Sequence, residues 1–174
     1  MLNLFEIEEK VNELAQKIGT PQDILPTFGY SEQNARPHIE VGSWTYAYVV
    51  SQSGQEVSRY KTRHIDQLLY KIFADVTLML SIKYAEQNRI ENQDIRKTIF
   101  PRQVELLALL SPQWGERGAN EQAQLLKQAP FDDEGEVRSD YWISLREQEY
   151  SVALANKMAN EKYLYPNKPE AGTF

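Results

Sequence analysis

The stretch RPHIEVGSWTYAYVVS, residues 36–51, decides the fold of this chain. Residues 36–41 alternate polar and apolar side chains in the manner of a half-buried strand, and residues 44–51 are rich in aromatic and β-branched side chains. Between them, Gly42 and Ser43 offer a two-residue type II′ turn. The stretch therefore predicts a β-hairpin.

The length of this turn decides which side chains of the hairpin share a face. With Gly42–Ser43 as the whole loop, Val41 lies opposite Trp44 and Ile39 lies opposite Tyr46. These residues and Tyr48 form the face that we expect to cover helices. Four residues occupy the other face, which we expect to look outward: His38, Glu40, Thr45 and Ala47. Tyr46 is expected in the core, whereas Trp44 at the hairpin tip fits either the core or a partner-binding role.

The segments around the hairpin complete an α+β pattern. After a turn at 51–54, residues 56–62 predict a third antiparallel strand, and the segment 20–35 reads as an irregular connection. Helical spacing of apolar residues predicts a helix before the sheet and four after it, at 4–18, 65–82, 94–110, 112–128 and 140–164. We therefore expect an N-terminal helix, a three-stranded antiparallel meander, and a bundle of about four helices packed on one sheet face.

Two boundaries are less simple. Pro101 either kinks the helix at 94–110 or opens a new one, because proline removes a backbone hydrogen bond and is tolerated at a first turn. Residues 130–139 predict an acidic loop. With no repeat and no long linker, residues 1–165 are expected to form a single domain, followed by a flexible tail at 166–174.

The composition limits the possible partners and locations. The chain has 25 acidic and 19 basic residues in 174 and a net charge of -6, which disfavours nucleic acid and favours a basic partner. The N-terminus has acids where a signal peptide has its apolar core, and Lys71 and Asp75 interrupt the longest apolar stretch. A cytoplasmic protein that does not enter a membrane is predicted.

No motif for catalysis, metal binding or cofactor binding is present in the sequence. His38 and His64 are the two imidazoles, there is no cysteine, and phosphate-loop, nucleophile-elbow and EF-hand patterns are missing. The sequence therefore predicts a non-enzyme without a metal or cofactor. Carboxylate pairs, Asp66 with Asp75 or Glu91 with Asp94, leave open a carboxylate-dependent hydrolase of a carbohydrate or nucleotide, and a cytoplasmic scaffold module is a further alternative.

Several short strings, taken in order, resemble the Imm63 family of bacterial immunity proteins. They extend from about Pro26 to Asp133, whereas the first helix and the segment after Glu134 lie outside the resemblance. The strings are residues 36–41 (RPHIEV), 46–50 (YAYVV), 66–70 (DQLLY), Phe73, Thr77, Arg89, 94–96 (DIR), Phe100, Gln103, 105–107 (ELL), Trp114 and 130–132 (PFD).

This resemblance implies a cytoplasmic protein, encoded near a polymorphic toxin, that binds the toxin and blocks it. It supplies no catalytic residues, and the oligomeric state stays open. The candidate partner-binding residues come from the physical reading of the sequence alone. They are His38 and Glu40 on the outward sheet face, Trp44 at the hairpin tip, and Asp132, Asp133 and Glu134 in the acidic loop.

Overall fold

The computed structural model describes residues 1–166 and confirms the α+β class. The elements are α1 (Leu4–Lys17), β1 (Thr27–Phe28), β2 (Asn34–Val41), β3 (Tyr46–Gln52), β4 (Gln55–Thr62), α2 (Ile65–Gln87), α3 (Arg96–Leu110), α4 (Pro112–Gln128), α5 (Gly135–Glu147) and α6 (Val152–Lys162). Apart from Pro166, the tail predicted at 166–174 lies outside the described residues.

The sheet has four strands in the order β1-β2-β3-β4, where three were predicted. The meander of β2, β3 and β4 is antiparallel as expected. The additional strand, β1, pairs in parallel with β2 through Thr27 opposite His38 and Phe28 opposite Ile39. This strand lies in the segment predicted as an irregular connection. It was missed because a two-residue strand is too short to show a period.

The hairpin turn lies one residue further along the chain than predicted. The N–H of Gly42 donates to the carbonyl of Thr45 at 2.8 Å, so the turn is centred on Ser43 and Trp44. Gly42 does not adopt the positive φ that a type II′ turn at Gly42–Ser43 requires. Val41 therefore faces Tyr46 rather than Trp44. Since this register shift is two residues, the expected faces of the strands are unchanged.

The inner face of the sheet packs against α1 and α2. Ile39, Tyr46 and Tyr48 are almost fully buried in one cluster with Ile7 and Val11 of α1. A capping box at the start of α1 satisfies its free N–H groups, since Asn3 accepts from the N–H of Glu6 and Glu6 accepts from the N–H of Asn3. The predicted core position of Tyr46 is confirmed.

Helix α2 is buried on more than one side, as its broad apolar stripe predicted. Ile72 and Phe73 are fully buried in the main cluster, and Trp114 of α4 stacks on Phe73 with ring centroids 6.1 Å apart. Its buried hydroxyl groups are satisfied within the helix, because Thr77 donates to the carbonyl of Phe73 and Ser81 to that of Thr77. Helix α2 therefore lies between the sheet and the pair α3 and α4.

Two helix boundaries resolve or correct the sequence-based expectations. Helix α3 continues through Pro101, so the alternative of two separate helices at this proline is wrong. The single helix expected at 140–164 is instead divided into α5 and α6, and α5 begins at Gly135, within the stretch predicted as a loop. Glu149 adopts a φ of 67°, which ends the helical path, and the side chain of Ser151 caps the start of α6. None of the helices in residues 1–166 has the length and apolar composition to cross a membrane.

Helices α3 and α4 approach closely at Gly115, and this contact yields a stability prediction. A Cβ atom at Gly115 lies 2.7 Å from the Cβ of Ala108 and 3.0 Å from its Cα, which is too close without backbone movement. Replacing an exposed glycine in a helix by alanine usually raises the free energy of unfolding by about 1 kcal/mol. We expect Gly115→Ala instead to lower the free energy of unfolding, measured by urea denaturation, by about 1–3 kcal/mol, because the added methyl group overpacks the contact.

The control is Asn120→Ala on the exposed side of the same helix, which lacks such a contact and is expected to leave stability unchanged or slightly raised. A Gly115→Ala protein as stable as the parent contradicts the close helix approach.

Candidate interaction surfaces

The outer face of the sheet carries a cluster of charges fixed by Arg59. Its guanidinium donates to Glu40 at 2.6 Å and to Glu56 at 2.7 Å. The hydrogen bond from Arg59 lowers the pKa of Glu40 and also that of Glu56. Glu40 is thus on the outer face, as predicted, but it is held in an ion-pair cluster rather than free.

His38 is buried, which corrects the expectation that its ring looks outward. The residue is 5% exposed, and its Nε2 lies 3.2 Å from Oε1 of Glu40. Ala47, expected on the same outward face, is also 5% exposed. The unexpected strand β1 pairs with β2 at His38, places buried Thr27 beside it and makes β2 an internal strand. Ala47 is a small residue of β3 that lies between Glu40 of β2 and Lys61 of β4. His38 therefore reaches a partner only through Glu40.

Trp44 is the most exposed of the predicted partner-binding residues on the sheet. It is 79% exposed at the centre of the turn between β2 and β3, which resolves the alternative between core and surface. Thr45, the next residue, lines a shallow surface depression with Lys61 and Arg63. A large aromatic ring so exposed contributes nothing to the core and is available for contact.

The acidic loop that connects α4 and α5 is largely neutralised by contacts within the chain. Asp132 pairs with the buried guanidinium of Arg138, and Asp133 pairs with Lys97. Glu134, at the N-terminal end of α5, is exposed and has no ion pair within residues 1–166. Of the three acids predicted to face a partner, Glu134 is thus the one whose charge is not balanced locally.

Asp94 is the centre of a clamp between two loops. Its carboxylate accepts from the Arg96 guanidinium at 2.6 Å and from the N–H of Asp132 at 2.8 Å, while its own N–H donates to Asp133. Burial alone raises the pKa of Asp94, but the hydrogen bonds from Arg96 and from the backbone N–H of Asp132 outweigh it and lower the pKa. The clamp holds the α2–α3 loop against the loop before α5.

Three of the four carboxylates considered for catalysis have other contacts, and the fourth, Glu91, is exposed. Asp66 accepts from the indole N–H of Trp114 at 3.1 Å, Asp75 pairs with Lys71 at 2.9 Å, and Asp94 is part of the clamp. Each described carboxyl group with a shifted pKa has it lowered, whereas a general acid needs a raised one. In residues 1–166, no three His, Asp or Glu side chains are grouped to hold a metal ion.

A cavity of about 650 Å³ lies beside α2, and sequence reasoning missed it. Its walls come from residues 75–79 of α2, from Tyr48, and from the segment 23–37. The signal in the sequence was Met79, an apolar residue at the margin of the stripe that buries α2. The structure leaves it 50% exposed. The cavity joins elements that are distant in sequence, so their proximity required the fold.

Comparison with known protein families supports the resemblance noted in the sequence. The family model for Immunity protein 63 (Imm63) matches residues 42–124. The match begins at the β2–β3 turn, covers β3, β4, α2 and α3, and ends within α4. The strings at 36–41 and 130–132 lie outside it. No curated protein and no solved structure matches the chain.

The Asp94 clamp predicts a measurable effect on stability and its pH dependence. Asp94→Asn retains the size of the side chain but removes its charge, and we expect a loss of about 1–3 kcal/mol at pH 7 in urea denaturation. Because folding lowers the pKa of Asp94 below its ordinary value of 3.8, the stabilisation is present above that pH and is lost as the pH falls through the folded-state pKa.

The parent protein should therefore lose more stability on acidification below about pH 4 than Asp94→Asn does. Asp140→Asn, at an exposed position of α5, is the matched control and is expected to change little. Equal stability of the two variants at pH 7 contradicts the clamp.

Proposed function

We propose that this chain, which resembles the Imm63 immunity proteins over residues 42–124, binds a cognate bacterial polymorphic toxin and neutralises it by direct contact. The chain acts in the cytoplasm as a stoichiometric inhibitor and performs no chemistry of its own. The observation that carries this proposal is the family match, which spans the two strands and two complete helices that form the centre of the fold.

The exposed aromatic ring of Trp44 supports a protein partner. Tryptophan is enriched among residues that dominate the binding energy of protein interfaces, because it buries a large area with few rotatable bonds. Trp44 lies at the centre of a turn closed by a backbone hydrogen bond, so its backbone is already ordered before binding. It also lies within the matched range, two residues after its start.

The outer sheet face offers preformed charges near the middle of the meander. Arg59 fixes Glu40 and Glu56 in one geometry, and Glu40 keeps 42% of its side chain exposed. Because these side chains are already fixed, they lose little freedom when a partner binds. Fixed charges of this kind improve specificity more than affinity. We assign Glu40 to this contact, with buried His38 supporting it from below, and Glu134 to a separate contact in the α4–α5 loop together with Asp132 and Asp133.

The charge of the chain favours a basic toxin. A net charge of -6 creates a long-range field that accelerates encounter with a positively charged domain and weakens as salt is added. Since ion pairs within the chain already neutralise many acids, this field acts on the rate of association more than on the contacts of the final complex.

The direct test is a complex with the product of the neighbouring toxin gene. We expect the purified chain and a catalytically inactive form of that toxin to elute together in size-exclusion chromatography, and co-expression of the chain to protect cells from the active toxin. A pair that neither co-elutes nor protects cells contradicts the proposed function.

Trp44 gives a sharper prediction within that complex. Because the ring is 79% exposed, Trp44→Ala should leave the urea midpoint unchanged while weakening the complex about tenfold or more in calorimetric titration. The matched control is Leu109→Ala on α3, another large apolar side chain that is 62% exposed. If Trp44→Ala binds as tightly as the control, the turn is not the anchor, and the inhibitor function still stands.

A further inference from the structure

A continuous groove extends along one side of α2. The cavity of about 650 Å³ adjoins a second cavity of about 540 Å³, and both are lined by Asp23, Ile24 and Met79. We call this surface the α2 groove; its lining includes Asp23, Ile24, Glu32, Asp75, Met79 and Ile82. The Trp44 turn is not part of it.

The floor of the α2 groove is apolar and lacks a partner within residues 1–166. Met79 is 50% exposed and Ile82 is 37% exposed, although Val76 and Phe73 on the same helix are buried. Ile24, half-buried, faces the same space from the chain segment before β1. Methionine adapts its shape to varied surfaces, and apolar side chains collected in a groove mark a site of contact.

The rim of the α2 groove is acidic. Asp23, Glu32 and Asp75 line the deeper cavity with Arg36, and Asp23 and Glu86 line the second cavity with Lys83. The Arg36 guanidinium is already engaged, since it donates to the carbonyls of Leu25 at 2.8 Å and Gln22 at 2.9 Å and pairs with Glu32. Asp75 pairs with Lys71 in the same way, whereas Asp23 and Glu86 have no ion pair within residues 1–166, so with Lys83 as the remaining cation the groove keeps a small excess of negative charge.

A cation of the chain itself already occupies the carboxylate of Asp75 in the deeper cavity. Lys71 places its ammonium 2.9 Å from Asp75 and 5.4 Å from the centroid of the Tyr48 ring. An aromatic face beside a carboxylate is the arrangement that attracts ammonium and guanidinium groups. Burial, together with the charge of Asp75, raises the pKa of Tyr48, so its hydroxyl stays neutral and adds no charge to the site.

We propose that the α2 groove receives a basic amphipathic segment of the toxin, with apolar side chains on Met79 and Ile82 and a lysine or arginine at Asp23. This inference rests on the proposed function, because it names the chemistry of the toxin segment. A second copy of this chain is disfavoured as the occupant, since each copy carries a net charge of -6. The long side chain of a basic residue suits both the apolar floor and the acidic rim.

The test places a positive charge on the floor of the groove. Met79→Lys keeps a good helix former at a half-exposed position, so the fold should be retained, and circular dichroism and the urea midpoint check this. We expect Met79→Lys to weaken binding of the neighbouring-gene toxin about tenfold or more in calorimetric titration. Leu109→Lys, with the same charge change on α3, and Met79→Leu, which keeps the floor apolar, should bind as the parent does.

A second pair of variants tests the charge of the rim. Asp23→Asn should weaken binding and reduce its dependence on salt, whereas Glu116→Gln, the same charge change on exposed α4, should do neither. Toxin binding by Met79→Lys equal to that by Leu109→Lys overturns the inference and leaves the inhibitor function intact. A dimer of the chain alone that Met79→Lys dissociates also overturns it. If the parent chain itself forms no complex with the toxin, the proposed function is wrong.

Discussion

The burial of α2 on two opposite sides is the constraint on which the rest of the structure depends. The fully buried side chains of Ile72 and Phe73 need apolar cover, and one layer cannot supply it for both sides of a helix. The sheet and α1 provide one layer, and α3 and α4 provide the other, with Trp114 stacked on Phe73. The family match covers α2 and part of each layer, namely β3 and β4 on one side and α3 with most of α4 on the other.

Polar contacts then fix the loops that leave this scaffold. Asp94 joins the α2–α3 loop to the loop before α5, and Arg138 extends the connection by donating to the carbonyls of Tyr163 and Leu164. These bonds engage the carboxylates of Asp94 and Asp132, so Asp132, which its charge alone assigned to a partner, is already paired within the chain. An acidic surface is therefore better judged by the acids that lack a local cation, such as Glu134, than by the count of acids in a loop.

The sequence predicted the elements whose pattern is long and regular. The hairpin, α1 and α2 have enough alternating or helical residues to determine both their type and their buried face. The short strand β1 has no such pattern, and the prediction that His38 is exposed missed the strand that pairs with β2 beside it. The division between α5 and α6 occurs at Glu149, which has a positive φ. Glutamate rarely adopts this conformation, so the residue type did not predict it.

The candidate site divides in the same way. Exposure of Trp44 follows from its place in a turn, so the sequence could indicate it. The pairing of Asp132 with Arg138 and of Glu40 with Arg59 required tertiary structure, because residue 59 and residue 40 meet only when β3 lies between their strands. The α2 groove was beyond prediction for the same reason, since Asp23 and Asp75 come from segments that the fold alone brings together.

The Trp44 turn and the α2 groove lie at opposite ends of β2. Asn34 and Ala35, at the start of the strand, line the groove, whereas the turn follows Val41 at its end, roughly 20 Å along an extended strand. Sites so far apart without shared partners act on binding independently. A toxin domain of ordinary size is about 30 Å across and can reach both. Contact at both ends would fix the toxin's orientation on the sheet, which one anchor alone leaves free to rotate.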